Sequence, residues 1–296
     1  ALPPGLRKAL FPLANRLNAR RAMLLRLETE MLARARVMVW ARSLAAPVGR
    51  LVRQTASREP DVTVLAPGID LAPIAQVTKE FGLALLVDGT FASPINLRPI
   101  EHGADVVITS ATKYLNGHSD VIAGAVAGSA SFIEEVTRLM RLWGQSIDPH
   151  AAWLVERGLR TLAVRMDRHN ANGLEVARWA EAQDEFAAVH YPGLPGHPEH
   201  GYAREALNGF GGMVGLQLKG GVRAAERFLK KLKMIAHAPS LAGVESLISE
   251  PRLTSHKGLT AEERTRIDIP DGFLRLSCGI EDAADIIGDL EQALGR

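Results

Sequence analysis

The sequence predicts an α/β fold, and three observations carry that prediction. From Pro60 onward, short apolar runs of strand length alternate with longer amphipathic stretches of helix length. The run LALLVD at 83–88 is apolar almost throughout, as in a strand covered on both faces. Two predicted strand ends, at Asp88 and at Ser110, carry polar groups, and open α/β sheets hold their ligands at such ends.

Taken in order, the elements are these. Residues 13–46 place Leu13, Leu17, Leu24, Leu27, Met31 and Leu32 mostly at three- and four-residue steps, the spacing of one helix face, until Pro47 and Gly49 break it. A strand is predicted at 62–66 and a helix at 71–81, closed by Gly82. Strand 83–88 follows, then strand 105–109 (DVVIT), the polar run Ser110 to Tyr114, and strand 122–127. Helices are predicted over 130–143 and 158–183, the second long enough to bridge two domains. Strands near 186–191, 213–218 and 273–278 alternate with helices at 222–232 and 283–295. The last helix carries Ile286, Ile287, Leu290 and Leu294 on one stripe, with Asp282 placed to cap its start. Such alternation predicts βαβ units and a mainly parallel sheet.

The chain has 296 residues, 47% hydrophobic and 23% charged, a balance that excludes a disordered or fibrous protein. No run of eighteen apolar residues occurs, so no membrane span is predicted. The single cysteine, Cys278, excludes an internal disulfide framework and points to a reducing compartment such as the cytoplasm. The net charge of +2 hides an asymmetry, since eleven arginines up to Arg58 face only Glu28, Glu30 and Glu59. A solvated amphipathic helix or poorly specified sequence accounts for this better than targeting or nucleic-acid binding, because the segment lacks the serine of a transit peptide.

The chemistry is concentrated after two strands. If 83–88 and 105–109 are neighbours, Asp88, Ser110, Thr112 and Lys113 bring a carboxylate, two hydroxyls and an amine to one crevice. That set suits pyridoxal 5'-phosphate (PLP), which needs a lysine amine, a carboxylate beside its pyridine nitrogen and hydroxyls for its phosphate. His118 and Asp120 read as loop-fixing residues. His190, His197 and His200 do not lead to a metal expectation, and Cys278 reads as packed and inert.

The stretches VDGTFASP at 87–94, GADVVITSATKYLNGHSDVIAG at 103–124, SLAGVESLISEP at 240–251 and FLRLSCGIED at 273–282 resemble the Cys/Met-metabolism family of PLP enzymes. The likeness extends through DPHAAWLVERGLRTLAVRMDRHN at 148–170 and YPGLPGHPEH at 191–200. It implies the aspartate-aminotransferase-type fold (fold type I), with an incomplete large domain over 60–157 and a small α/β C-terminal domain over 158–296. It also implies that Lys113 holds the cofactor covalently and moves protons between substrate carbons. Asp88 would partner the pyridine nitrogen, and Ser110 and Thr112 would take the phosphate. Arg275 would hold the substrate α-carboxylate, with Ser240 lining the same pocket. The implied activity is γ-elimination or γ-replacement on cystathionine, methionine or an O-acylhomoserine. A homo-oligomer, dimer or tetramer, is implied as well, with no nucleic-acid or membrane partner.

The departures lie upstream. The family's Tyr-x-Arg phosphate clamp, its Ser-Gly-Met phosphate loop and its cofactor-stacking tyrosine have no counterpart, and no tyrosine precedes Tyr114. LAPGIDLAP at 65–73 stands where the family has Glu-x-Pro-x-Asn-Pro, and Gly89 stands where it usually has Asn. Residues 1–59 therefore read as a divergent basic segment in a truncated or divergent member. The alternative function is a weak or inactive paralogue, or a truncated product, acting as a partner subunit.

Overall fold

The computed structural model describes residues 63–65, 71–80, 82, 84–266 and 269–295. The helix predicted over 13–46 lies outside them. Two sheets organise the described chain. The first has the order β1-β2-β3-β4, made of Thr63–Leu65, Leu86–Asp88, Val106–Ser110 and Gly124–Gly128. β1, β2 and β3 run parallel, and helix α1 (Leu71–Glu80) makes the crossover from β1 to β2. It buries Leu71 and Ile74 against Leu85, Val87, Leu97 and Ala104. Two of its neighbours come from much later in the chain, Ala203 and Leu207, at the short helix His200–Ala206.

The second sheet has the order β5-β6-β9-β8-β7, made of Phe186–His190, Met213–Leu218, Phe273–Ser277, Leu247–Ser249 and Ala236–His237. Helices α4 (Leu162–Glu181), α5 (Gly221–Leu229) and α6 (Ala283–Leu294) pack on it. Val176, Phe228, Ile286 and Leu290 meet Val214, Leu216, Leu274 and Leu276 there. Each such side chain contributes about 1.5–3 kcal/mol when fully buried.

Three sequence expectations are corrected. The mainly parallel sheet expected is the first one, where only β4 runs antiparallel, but the second sheet is mostly antiparallel, with only β7 and β8 parallel. Alternation of strands and helices holds in both sheets, but it does not by itself fix strand direction. Among the described residues of the strand predicted at 83–88, pairing begins at Leu86, and the Leu85 N–H donates instead to the Asp105 carboxylate at 2.7 Å. The helix predicted at 158–183 is α4 but starts only at Leu162, because its first residues belong to a separate, unpredicted helix, α3 (Pro149–Leu159), after α2 (Ala130–Trp143). The break follows from Gly158, whose carbonyl accepts from Thr161 Oγ1 and from Arg165 Nη2, so it is drawn out of a continuing ladder. Asp148 caps α3 by accepting from His150 and Ala151 N–H, and Pro149 suits the first turn. The predicted Asp282 cap on α6 is present, accepting from Ala284 N–H at 3.0 Å. Among the described residues no helix is long and apolar enough to cross a membrane.

Asp289, buried on α6, ties that helix to the chain before β7. Its carboxylate accepts the N–H groups of Lys233, Met234 and Ile235 at 2.8–2.9 Å, and the Gln292 amide at 2.9 Å. Burial pushes its pKa up, but these donors outweigh burial and leave it below the ordinary carboxylate value. A pKa lower in the folded than in the unfolded chain gives stabilisation that is complete above the unfolded value and lost as pH falls through the folded one. Asp289→Ala should therefore cost about 2–4 kcal/mol near neutral pH, from donors left unsatisfied. Urea denaturation of both proteins measures it, and the gap should close in acid. A gap that stays constant into acid would show that the charge is not what holds the segment.

Candidate active site

The parallel pairing of β2 and β3 brings their carboxyl ends side by side, so Asp88 and Ser110 stand at one edge of the first sheet. A short relay links them. Asp88 Oδ1 accepts the Thr90 N–H at 2.9 Å, and Thr90 Oγ1 accepts the Ser110 N–H at 2.8 Å. Beyond Ser110 the chain makes a wide turn, Ala111–Leu115, with its ladder spaced as in a π-helix: Asn116 N–H donates to the Ala111 carbonyl. Lys113 leaves helical geometry inside that turn, at φ −88° and ψ −131°.

The Lys113 amine donates to Ser240 Oγ at 2.9 Å, across 127 residues of sequence. Ser240 lies in the loop ahead of β8, and that loop is fixed from two sides. Ala242 N–H donates to Ser277 Oγ at 2.8 Å, and Val244 N–H donates to the Gly117 carbonyl at 2.9 Å. Arg275 sits in the middle of β9 and reaches the same loop with long contacts from Nη2, 3.3 Å to the Pro239 carbonyl and 3.5 Å to that of Ser240. Its Nε is buried and has no hydrogen-bond partner among the described residues. Burial lowers the Arg275 pKa. The Lys113 pKa is lowered as well, first by burial and then by the Arg275 charge. A lysine below its ordinary range presents more free amine near neutral pH, the form that attacks a carbonyl.

Of the residues singled out from sequence, the structure joins Lys113, Ser240 and Arg275 into one cluster. Asp88 and Ser110 lie on the strand ends from which the Lys113 turn springs. Thr112 is placed differently. Its hydroxyl accepts the Ala123 N–H at 2.9 Å and donates to the Ala123 carbonyl at 3.3 Å, fastening the start of β4. His118 Nδ1 meets the Asn116 carbonyl at 2.7 Å, and Asp120 Oδ1 accepts from Asn116 Nδ2 at 2.7 Å, so both fix the loop. His200 Nδ1 contacts the Pro192 carbonyl, and His197 Nδ1 accepts from Glu199 N–H. Cys278 is fully buried, and burial pushes its thiol far up.

Sequence reasoning missed Arg165. It is 3% exposed and lies on the buried stripe of α4 with Leu162, Met166, His169 and Asn172. The available signal was an arginine at a helical core position, between apolar residues at three- and four-residue steps.

Residues 61–295 match the Cys/Met metabolism PLP-dependent enzyme family. The chain is similar to the cystathionine beta-lyase of Coxiella burnetii (strain RSA 493 / Nine Mile phase I), 44% identical over 228 residues, covering 76% of this chain and 59% of that protein. It is 40% identical over 227 residues to the L-methionine gamma-lyase of Pseudomonas putida, covering 76% of this chain and 57% of the relative. Among solved structures it resembles cystathionine gamma synthase from Xanthomonas oryzae pv. oryzae in complex with cystathionine, with TM-score 0.80 and 37% identity, over 85% of this chain and 66% of the other. The chain thus spans under three fifths of the length of the two curated relatives.

Behind the Lys113 turn, Gly158 of α3 lies against Asn116. A Cβ at Gly158 would press on the Asn116 carbonyl oxygen and come within 2.9 Å of its Cα. Gly→Ala within a helix ordinarily stabilises by about 0.5–1 kcal/mol, whereas overpacking costs about 1–3 kcal/mol. Gly158→Ala should be net destabilising in thermal denaturation. A raised melting temperature would show that α3 and the turn are not held in this contact.

Proposed function

The chain belongs to the Cys/Met-metabolism PLP-dependent enzyme family, and from that premise we propose that it carries out carbon–sulfur bond chemistry on a sulfur amino acid. The substrate class is cystathionine, methionine or an O-acylhomoserine, and the reaction is γ-elimination or γ-replacement. One observation carries the reading: a half-buried Lys113 amine with lowered pKa, held at 2.9 Å from Ser240 and beside Arg275. Residues 60–157 would form the partial cofactor domain and 158–296 the small domain.

The residues fit the cofactor on structural grounds. Lys113 offers an amine whose pKa is lowered by burial and by the Arg275 charge, and Asp88 offers a carboxylate on the adjacent strand end. The Ser110 hydroxyl has no hydrogen bond among the described residues. Pyridoxal phosphate, when bound, would supply an electron sink for negative charge developing next to the substrate amine. Lys113 would hold it and carry a proton at Nζ between substrate carbons, Ser240 Oγ keeping the amine in place between transfers. Asp88 would face the ring nitrogen, and Ser110 and Thr112 the phosphate. Arg275 would bind the α-carboxylate, its unpaired Nε and its weakly held Nη2 together forming the two-pronged face that a carboxylate accepts.

A second reading is favoured by Thr112, whose hydroxyl already serves Ala123 in both directions. With that hydroxyl engaged, the chain would hold the phosphate weakly and act as a partner subunit in a homo- or mixed oligomer. Turnover of a sulfur amino acid by the chain alone supports the first reading. Turnover gained only on mixing with an intact family member supports the second.

Two outcomes test the site. Borohydride reduction with PLP and peptide mapping should label Lys113, and label confined to Lys79, Lys230 or Lys231 would overturn the assignment. Arg275→Ala should weaken substrate binding by about 3–5 kcal/mol, the cost of stranding one half of a buried charge pair. PLP binding, followed by absorbance, should hold. Lost PLP with substrate affinity retained would remove Arg275 from the role proposed here.

A further inference from the structure

Arg165 is a buried guanidinium with no carboxylate paired to it among the described residues, and burial alone lowers its pKa. Charge taken out of water without a counter-ion is costly, and such a group persists only where its donors are fully used. Here they are. Nε donates to Thr161 Oγ1 at 3.1 Å and Nη1 to the Tyr114 carbonyl at 2.7 Å. Nη2 donates to the Gly158 carbonyl at 2.8 Å and to the Leu115 carbonyl at 3.2 Å. Tyr114 and Leu115 are the two residues directly after Lys113. Their carbonyls fall where the turn departs from helical geometry, so they are the acceptors that the departure puts at risk.

The fit is close on the other side too. Gly117, at φ +77°, leaves room for the guanidinium: a Cβ there would overlap Nη1 and lie 2.7 Å from Cζ. A planar fork spreads five donors over three nitrogens in fixed directions, whereas a lysine ammonium has three donors on one nitrogen and cannot span the same set of acceptors.

We propose that Arg165 is a positioning residue for Lys113: its guanidinium, wedged between Gly158 and the carbonyls of Tyr114 and Leu115, sets the turn that aims the Lys113 amine at Ser240. This rests on Lys113 being the reactive amine. Released from the clamp, the turn can swing the amine toward water, which reduces its burial and returns its titration toward that of a free lysine. The charged and titratable groups around the turn are Asp88 from β2, His118 and Asp120 bonded to Asn116 at its end, Arg165 and His169 from α4, Glu245 from the loop ahead of β8, Arg275 from β9, and His256 beside Arg275.

The test is competitive labelling of the full chain with trace acetic anhydride over a pH series, with the Lys113 midpoint read by peptide mapping. Arg165→Ala and Arg165→Lys should both move that midpoint upward, the second variant keeping the charge while losing the fork. Arg138→Ala, which removes an exposed ion pair with Glu135 on α2 and no hydrogen bond of the turn, should leave the Lys113 midpoint in place. Should Arg165→Ala fail to fold, Arg165→Lys carries the result. A wild-type midpoint in Arg165→Lys would overturn the clamp, because charge alone would then suffice. An unmoved midpoint in folded Arg165→Ala would overturn any role. An ordinary midpoint in the wild-type chain would instead overturn the assignment of Lys113 itself.

Discussion

A turn that leaves its helix ladder inside a protein strands carbonyl groups, and each must find a donor or cost free energy. The turn from Ala111 to Leu115 is such a place, and much of the surrounding architecture answers it. Arg165 takes the Tyr114 and Leu115 carbonyls, and its own seat requires Gly117 without a side chain and Gly158 at the end of α3. The Gly158 carbonyl is thereby lost to the helix ladder, so α3 stops and α4 begins after it. The Gly117 carbonyl takes Val244 N–H, which brings the Ser240 loop against the turn. The position of the Lys113 amine, the break between two helices and the path of a loop more than a hundred residues away share one cause.

Sequence reading found the chemistry more readily than the clamp beneath it. Lys113, Asp88 and Ser110 were legible because each follows an apolar run of strand length, and strand ends in α/β sheets are where reactive groups collect. Arg275 and Ser240 needed the resemblance, since nothing local ties an arginine in a strand to a serine thirty-five residues earlier. The strand at 213–218 and the helix at 130–143 agree to the residue, as expected for elements bounded by glycine or a serine cap. β7 and β8, at two and three residues, are too short to show any periodicity. Thr112 illustrates a different limit. A hydroxyl beside a lysine reads as a ligand, and nothing local in the sequence signals that it also pairs with Ala123.

The two sheets are joined by polar contacts as well as apolar ones. Asn96 and Asn170 exchange reciprocal amide bonds at 2.8 and 2.9 Å, and Asn170 Oδ1 also accepts Gly211 N–H at 2.7 Å. Amides paired reciprocally in this way favour one arrangement, because any shift leaves several partners unmet at once. Ala203 and Leu207 add apolar contact from the short helix after β5 to the core under the first sheet. The cluster of Lys113, Ser240 and Arg275 draws its members from both sheets and so depends on this register.

Cys278 offers an experimental handle that its chemistry alone would not suggest. It is the only thiol in the chain, fully buried where its carbonyl accepts from His169 Nδ1 at 2.8 Å. A thiol reagent can reach it only when the layer between α4 and the end of β9 opens. The rate of its modification is therefore a clock for that opening, read at a single atom without introducing a probe. When closing outpaces reaction, the rate reports the free energy of the open form, and with fast reagents it reports the opening rate.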